Sequence, residues 1–177
     1  MRSERDRADV EEFVAVCSGR LLGTADLLIG DPDRAEQLLV RALAAAWSSW
    51  RRLDAPPETY VRQVLVARAT TRWRPVGPGR PAAGDDRLRR ALAGLTRRQR
   101  AVVVLLWYDG LDEEDTAAAL GCSAATVATV ASAALVRLGV SPGPQVDVLR
   151  RDLAALVDRS PGPRTRRLIE AMDDRAV

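Results

Sequence analysis

Two short apolar stretches on either side of residues 120–123 place the tightest constraint on what this chain can fold into. Asp112 can cap the start of a short helix, and Ser123 can cap a longer helix that ends near Leu138. Gly121 lies between them and permits a tight turn, because glycine adopts the left-handed backbone conformation at little cost. The pattern therefore predicts helix-turn-helix geometry.

The longer of these two helices has distinct inward and outward faces when each residue is turned about 100° from the last. The side chains expected to face the core are Val127, Ala131, Ala134, Leu135 and Leu138. Those expected to face outward are Ala125, Thr129, Ser132 and Val136, flanked by Ala128 and Ala133. Residues 124–136 include no charged side chain, so the outer face is small and largely apolar.

The composition predicts an all-α protein with two small helical domains. Apolar residues make up 47% of the 177 residues, which is enough to fill two small cores. Alanine and leucine are abundant and β-branched residues are mostly isolated valines, a mixture that favours helices over strands. We predict a helical domain over residues 1–74, a flexible Pro/Gly linker over 75–86, a helix-turn-helix domain over 87–139 and a helical C-terminal extension over 140–177.

Three helices are predicted in the first domain. The first covers residues 10–28 and is followed by a glycine stop. The second begins at Asp31-Pro32, since aspartate is a preferred N-cap and proline suits the first helical position. The third covers about residues 58–73. It is expected to leave three side chains available to solvent or to a partner, namely Arg62, Arg68 and Arg72.

The second domain is predicted to begin with a short helix over residues 87–93 and a helix that Thr96 caps and that runs to Tyr108. After Gly139, the tetrapeptide Ser-Pro-Gly-Pro occurs twice and brackets a further helix. Its apolar seam consists of Val146, Leu149, Leu153 and Leu156. A second tail helix is predicted near residues 164–172. These tail helices either pack on their own domain or form a docking segment for another protein.

The residue types present exclude several classes of chemistry. Histidine is absent, and the two cysteines, Cys17 and Cys122, have no metal-ligand spacing. Nucleophiles that depend on histidine and disulfide frameworks are therefore not predicted. The sequence also shows no Gly-rich phosphate loop. The longest apolar run, residues 101–108, is too short to span a bilayer. We expect a cytoplasmic protein that is not an enzyme, does not insert into a membrane and needs no metal or cofactor.

A basic patch lies between residues 50 and 74, where arginines outnumber Asp54 and Glu58. These arginines are Arg51, Arg52, Arg62, Arg68, Arg72 and Arg74. Guanidinium groups neutralise phosphates, and the rings of Trp50, Tyr60 and Trp73 offer flat surfaces for unstacked bases. Two interpretations stay open: the patch binds nucleic acid, or the rings fill the core and the arginines form a solvated face.

Motifs spread over residues 13–138 match one known family in order and spacing. In the first half they are residues 27–31, 34–36, 50–52, 60–66 and 72–74, together with Trp47. In the second half they are residues 95–105, 116–123, 126–127 and 131–132. With these motifs the chain resembles the extracytoplasmic-function class of sigma-70 family factors, in particular the compact sigma-E-like group common in actinobacteria.

This resemblance implies a first domain that grips the clamp helices of core RNA polymerase and melts the minus-ten promoter element, and a second that reads the minus-thirty-five element. The implied polymerase contacts are Glu36, Gln37, Leu39, Val40 and Arg41. The implied minus-ten contacts are Trp50, Arg51, Tyr60, Arg62, Arg68, Arg72 and Trp73. The implied minus-thirty-five contacts are Arg97, Arg98, Arg100, Thr126, Thr129, Ser132 and Arg137. An anti-sigma or other protein is a further implied partner.

The chain departs from the family pattern on each of these surfaces. Residues 37–41 read Gln-Leu-Leu-Val-Arg where the family usually shows Asp-Leu-Val-Gln-Glu, so an acidic residue is lost and a positive one gained. Ala67 and Thr70 stand where the family tends to place Asn and a basic residue, and Ala128 and Ala133 replace the usual Lys and Arg. Because base reading by hydrogen bonds depends on Arg, Lys, Asn or Gln, we expect weak, poorly selective duplex binding by the second domain.

Two hypotheses for the function follow. The first is a sigma factor that binds core RNA polymerase and promoter DNA. The second is a degenerate sigma-like regulator that works through protein–protein binding without sequence-specific promoter recognition, since an apolar helix face suits packing against a protein. The identity of the proteins that co-purify with the chain distinguishes the two.

Overall fold

The computed structural model describes residues 4–71, 86–157 and 164–167. Within these ranges every regular element is a helix and no residue lies in a strand, so the all-α prediction is confirmed. The predicted linker falls almost wholly outside the described residues, as do Arg72, Trp73 and Arg74. The domain boundaries at residues 74 and 86 therefore stay predictions.

Three α-helices and a 3-10 turn form the first unit. They are α1 (Glu4–Ile29), α2 (Pro32–Ser49), the turn (Trp50–Arg52) and α3 (Pro57–Thr71). As predicted, the Asp31 side chain caps α2, accepting a hydrogen bond from the Arg34 amide at 3.1 Å, with Pro32 at the helix start. α1 begins before the predicted residue 10. Glutamate, arginine and alanine in the preceding stretch are good helix formers, and aspartate is favourable near a helix N-terminus.

Four helices form the second unit. They are α4 (Asp86–Ala93), α5 (Arg97–Val103), α6 (Glu113–Leu120) and α7 (Ala124–Leu138). Thr96 and Gln99 cap α5 reciprocally: each side-chain oxygen accepts from the other residue's amide, at 3.2 Å and 3.0 Å. Beyond α5 the chain continues as a π-helical turn (Val104–Tyr108), which the sequence did not predict. Here the Asp109 amide donates to the carbonyl oxygen of Val104, five residues back, at 2.9 Å.

The turn between α6 and α7 has the predicted helix-turn-helix form. Gly121 adopts a left-handed conformation with φ of +63°, and the two helix axes are bent by 99° across it. Ser123 caps α7 by accepting from the Thr126 amide at 3.2 Å, and Asp112 caps α6 by accepting from the Asp115 amide at 2.7 Å. Local capping and one permissive glycine thus set the angle of α7.

The faces of α7 are also confirmed. Val127, Ala131, Ala134 and Leu135 are buried and Leu138 is half-buried, whereas Ala125, Thr129, Ser132 and Val136 are exposed. After α7, α8 (Pro144–Ala155) packs against the π-helical turn through buried Leu149 and Leu153. The predicted seam of α8 is therefore used within the chain, in agreement with the first alternative for the tail.

The two units share one continuous apolar core instead of standing apart. Side chains of α1 and α3 pack against α5, α6 and the π-helical turn. The approach is close at Gly23 on α1, where a Cβ atom would overlap the Tyr108 hydroxyl and lie 3.1 Å from Cγ2 of Val157. Only glycine fits this position without displacing those side chains.

Replacing Gly121 tests the conformational basis of the turn. A Cβ at Gly121 would meet no atom within 4 Å, so the cost of Gly121→Ala is the left-handed conformation alone, about 1–2 kcal/mol of unfolding free energy. Gly121→Asn should cost less, because asparagine tolerates this conformation. Urea denaturation of the three proteins measures both values. Unchanged stability in Gly121→Ala would contradict the assignment.

Candidate nucleic-acid interface

Two of the aromatic side chains predicted to stack with unstacked bases are partly buried against the core. Trp50 is half-buried at the end of α2, and its ring centroid lies 5.6 Å from that of Phe13, with the planes tilted by 56°. Tyr60 is also half-buried and packs against the core from α3. Each ring therefore has only part of its surface available to a base.

The exposure of Arg62 differs from the prediction. The expectation that it is available to solvent is wrong, since the residue is only 5% exposed. Its guanidinium donates to Oε1 of Glu58 at 2.6 Å and lies 3.3 Å from Oδ2 of Asp109 in the second unit. Arg62 thus pairs across the boundary between the units, and in this conformation it has no access to nucleic acid.

Arg68 is a half-buried arginine of the basic patch that borders a groove, whereas Arg52 is exposed. Arg68 lines an open groove between α2 and α3 whose floor includes Ile29, Leu38 and Ala69. Arg41 and Gln37, two of the implied polymerase contacts, line the same groove. The side chain of Arg51 lies outside the described residues, as do Arg72 and Trp73. The groove therefore joins part of the implied polymerase surface to part of the implied minus-ten surface.

Five polar side chains join the two units around one buried carboxylate. We call this set the Asp109 cluster: Arg20, Thr24, Glu58, Arg62 and Asp109. The Thr24 hydroxyl donates to Oδ1 of Asp109 at 2.8 Å, and Arg20 donates to its backbone carbonyl at 3.3 Å. Arg20 also lies 3.2 Å from Oε1 of Glu58. Sequence reasoning missed Arg20, Thr24 and Asp109, because local periodicity gives no information on which residues meet across units.

Burial raises the pKa of Asp109 above its usual value of 3.8, since the charged form loses its hydration. Arg62, the Thr24 hydrogen bond and Arg20 oppose this rise, in that order, and Glu58 adds to it. Oδ2 of Asp109 has no hydrogen bond among the described residues, although Nε of Arg62 is 3.3 Å away. The Arg62 guanidinium and the Asp109 carboxylate therefore attract each other by charge, but they do not form an aligned hydrogen bond.

The arginines predicted at the minus-thirty-five element also have internal partners. Arg100 donates to the carbonyl oxygens of Leu92 and Leu28, and burial lowers its pKa below its ordinary value. Arg97 donates to the carbonyl of Thr70 at 3.4 Å, and Arg137 to that of Gly94 at 2.6 Å. Arg98 is exposed. Arg100 and Arg97 thus bridge to the first unit, and of these three arginines on α5 both Arg97 and Arg98 are exposed.

The hydroxyl groups on α7 bond within their own helix. Thr129 donates to the carbonyl of Ala125 at 2.9 Å and Ser132 to that of Ala128 at 3.0 Å. The Thr126 hydroxyl is 2.9 Å from that of Ser123. Next to them Val136 is 80% exposed. The outer face of α7 therefore offers hydroxyl oxygens and methyl groups, with no charged group among residues 124–136.

The implied polymerase contacts on α2 do not share one face. Gln37 and Arg41 are exposed, Val40 is half-buried, and Leu39 is fully buried in the core. Glu36 is 5% exposed, and its Oε1 accepts hydrogen bonds from the amides of residues 164 and 165 in the tail. The sequence did not predict this contact between α2 and the tail.

Two negative findings hold for residues 4–71, 86–157 and 164–167. No group of three or more Cys, Asp or Glu side chains there has the geometry to hold a metal ion. No single helix there is long and apolar enough to cross a membrane, and only the bent pair α6 and α7 reaches that length and composition.

The pH dependence of unfolding tests the state of Asp109. Because its folded pKa is raised, its contribution to stability is fully present below the unfolded value of about 3.8 and is lost as the pH rises through the folded pKa. Asn does not titrate, so the difference in unfolding free energy between wild type and Asp109→Asn should fall as the pH rises across that window. Urea denaturation at a series of pH values measures it.

The exposed Asp152 on α8 supplies the matched control. We expect Asp152→Asn to follow the wild-type pH profile, since its carboxylate does not lie at the boundary between the units. A difference between wild type and Asp109→Asn that stays constant or grows with rising pH would show that Asp109 is not held in the buried state described above.

Comparison with known proteins agrees with the order and geometry of these elements. A family model for sigma-70, region 4, matches residues 85–138. An RNA polymerase sigma-E factor of Streptomyces coelicolor is 33% identical over 165 residues, covering 83% of this chain and 90% of that protein. A sigma-E factor of Streptomyces avermitilis is 34% identical over 151 residues, covering 73% and 83%.

The fold also matches a solved structure. It is that of the sigma factor RpoE of Bartonella quintana, in complex with the anti-sigma factor NepR, with a TM-score of 0.61 and 22% identity over 73% of this chain and 94% of that one. The two sequence relatives establish the family as well as the fold, because each alignment covers most of this chain and most of the relative. The chain belongs to the sigma-70 family, in its extracytoplasmic-function, sigma-E-like group, whose members are transcription initiation proteins of RNA polymerase and not enzymes.

Proposed function

We propose that this chain binds core RNA polymerase in the cytoplasm and directs it to promoter DNA. The observation that carries the proposal is the helix-turn-helix of α6 and α7 placed after a three-helix unit, in a chain that is 33% identical to a relative named an RNA polymerase sigma-E factor. No metal or cofactor is needed for this role, because binding and strand separation use side-chain contacts alone.

The open groove between α2 and α3 supports a role for the first unit. Gln37 and Arg41 face outward on α2, where a polymerase helix can reach them, and Arg68 lies across the groove from them. If Arg68 neutralised a phosphate of an opened strand, it would release the counterions bound at that phosphate, and this release is a large source of affinity in such contacts. Polymerase and the minus-ten strand would then meet the chain at adjacent positions.

The second unit supports a duplex contact of low selectivity. Arg98 is exposed near the start of α5, and Arg137 is exposed near the end of α7, so both can reach phosphates. The hydroxyl groups of Thr129 and Ser132 already donate to backbone carbonyls. What α7 can offer to base edges is therefore mostly oxygen acceptors and methyl groups, which discriminate bases less well than bidentate side chains.

Promoter binding by the family mode requires the two units to separate. Arg62 and Arg100 are implied DNA contacts, yet both bind groups of the opposite unit. We propose that the closed arrangement is the DNA-free form and that core polymerase binding favours the open one. An anti-sigma protein is a further proposed partner, since the structural neighbour is a sigma factor bound to NepR.

A regulator that acts only through protein binding is the second candidate. The exposed Val136 on an uncharged α7 face supports it, because apolar side chains suit a protein surface better than a hydrated groove. Under this alternative a partner protein covers α7, and the chain forms no open complex with polymerase on any promoter.

Run-off transcription separates the two candidates. With purified core polymerase and promoter fragments from native DNA, we expect transcripts that depend on this chain. Purification of the tagged chain from its native cells should recover the polymerase β and β′ subunits. Recovery of a different stoichiometric protein, with no transcript on any fragment, would instead support the protein-binding regulator.

Arg68→Ala tests the minus-ten contact. In the holoenzyme we expect weaker binding of a single-stranded minus-ten oligonucleotide, with the slope of log affinity against log salt reduced by about 0.7 for one lost phosphate contact. Arg150→Ala, an exposed arginine on α8, is the matched control and should leave the slope unchanged. Equal slopes for wild type and Arg68→Ala would remove Arg68 from the DNA-binding surface.

A further inference from the structure

The carboxylate of Glu36 on α2 is occupied by the chain's own tail. Oε1 of Glu36 accepts hydrogen bonds from the backbone amides of Arg164 and Thr165, at 2.8 Å and 3.0 Å. Both amides belong to a helical turn over residues 164–167, which we call the tail turn. Amides at the start of a helical turn lack partners within the helix, so a carboxylate of another helix satisfies them.

Side-chain contacts reinforce this docking. The Arg164 guanidinium donates to the carbonyl oxygen of Asp33 at 3.1 Å and lies 3.9 Å from Oε2 of Glu36. Thr165 is 0% exposed, although it lies in the C-terminal tail beyond α8. The tail turn is therefore a packed element with opposite charge to the Asp33 and Glu36 side of α2, and not a loose end.

Glu36 is also one of the residues through which the family resemblance implies contact with the polymerase clamp. A carboxylate that already accepts two amide hydrogen bonds and is 5% exposed is inaccessible to another protein. Gln37 and Arg41, on the adjacent part of α2, stay exposed. The tail turn thus masks one part of the implied polymerase surface and leaves another part open.

We propose that the tail turn is an internal competitor of core RNA polymerase for the Glu36 side of α2. This inference rests on the proposed function. While the tail turn is docked, polymerase can form only part of its contact with α2. Full binding requires the tail turn to leave, so the measured affinity for polymerase is the intrinsic affinity multiplied by the fraction of molecules whose tail turn is undocked.

Full-length variants of the tail test this competition directly. Arg164→Glu and Thr165→Glu each place a carboxylate beside Glu36 and Asp33, which should expel the tail turn by charge repulsion. We expect each to bind core polymerase about three- to tenfold more tightly than wild type, measured by fluorescence anisotropy at fixed salt. Arg167→Glu carries the same charge change as Arg164→Glu at an exposed position of the same turn and should retain the wild-type affinity.

Amide hydrogen exchange reports docking without polymerase. In wild type the Thr165 amide should exchange slowly, since it is buried and bonded to Glu36. In Glu36→Ala and in Thr165→Glu, exchange at this position should approach the rate of an unstructured chain. Rapid exchange in wild type would show that the tail turn does not dock, which overturns the proposal.

The remaining outcomes separate this proposal from the function on which it rests. If wild type, Arg164→Glu and Thr165→Glu bind polymerase equally and tightly, the competition is disproved and the sigma-factor function stands. If Arg167→Glu tightens binding as much as Arg164→Glu, net charge and not docking is responsible, and the competition is again disproved. If none of the proteins binds core polymerase while Thr165 is protected, the proposed function fails together with the tail's role in it.

Discussion

One buried carboxylate sets how the two helical units meet. Asp109 has 0% of its side chain exposed, a position that costs several kcal/mol for a charged group without compensation. All the compensating partners, Arg20, Thr24 and Arg62, lie in the first unit. The apolar seam between the units is non-directional and contributes most of the attraction. The polar contact is directional, so it selects one alignment of the units among many that would bury similar area.

The contact between the units and the implied nucleic-acid contacts use some of the same side chains. An arginine that neutralises an internal aspartate cannot at the same time neutralise a phosphate, so any affinity that Arg62 lends to DNA is reduced by the strength of its pair with Asp109. Under our proposal the tail turn competes in the same way with polymerase for Glu36, which accepts its two amide hydrogen bonds. The chain therefore holds its own charged groups in internal contacts on two of the surfaces that the family resemblance implies for macromolecules, and the proposed function requires each contact to be exchanged for an external one.

Local chemistry made much of the fold predictable. Asp31 with Pro32 marked the start of α2, Thr96 marked that of α5, and the glycine between α6 and α7 marked the turn, because caps and left-handed positions depend on neighbouring residues only. The burial of Arg62 and Glu36 was not predictable in this way. Both look like ordinary solvent-facing charges on amphipathic helices, and their partners lie far along the chain in other elements, which helical periodicity does not report. Whether the implied DNA contacts act as such stays a prediction.

The π-helical turn at residues 104–108 explains how α5 can serve both units. A turn of this kind accommodates one more residue than an α-helical turn, so each side chain beyond it is rotated by about 100° from where an unbroken α-helix would place it. Asp109 is the first residue after the wide turn. The direction in which the Asp109 carboxylate points therefore depends on the number of residues in the turn as well as on the type of residue. If the turn closed to ordinary α-helical pitch with all its residues kept, the carboxylate would face another side of the helix, and the two units would lose their alignment although every contacting residue was still encoded.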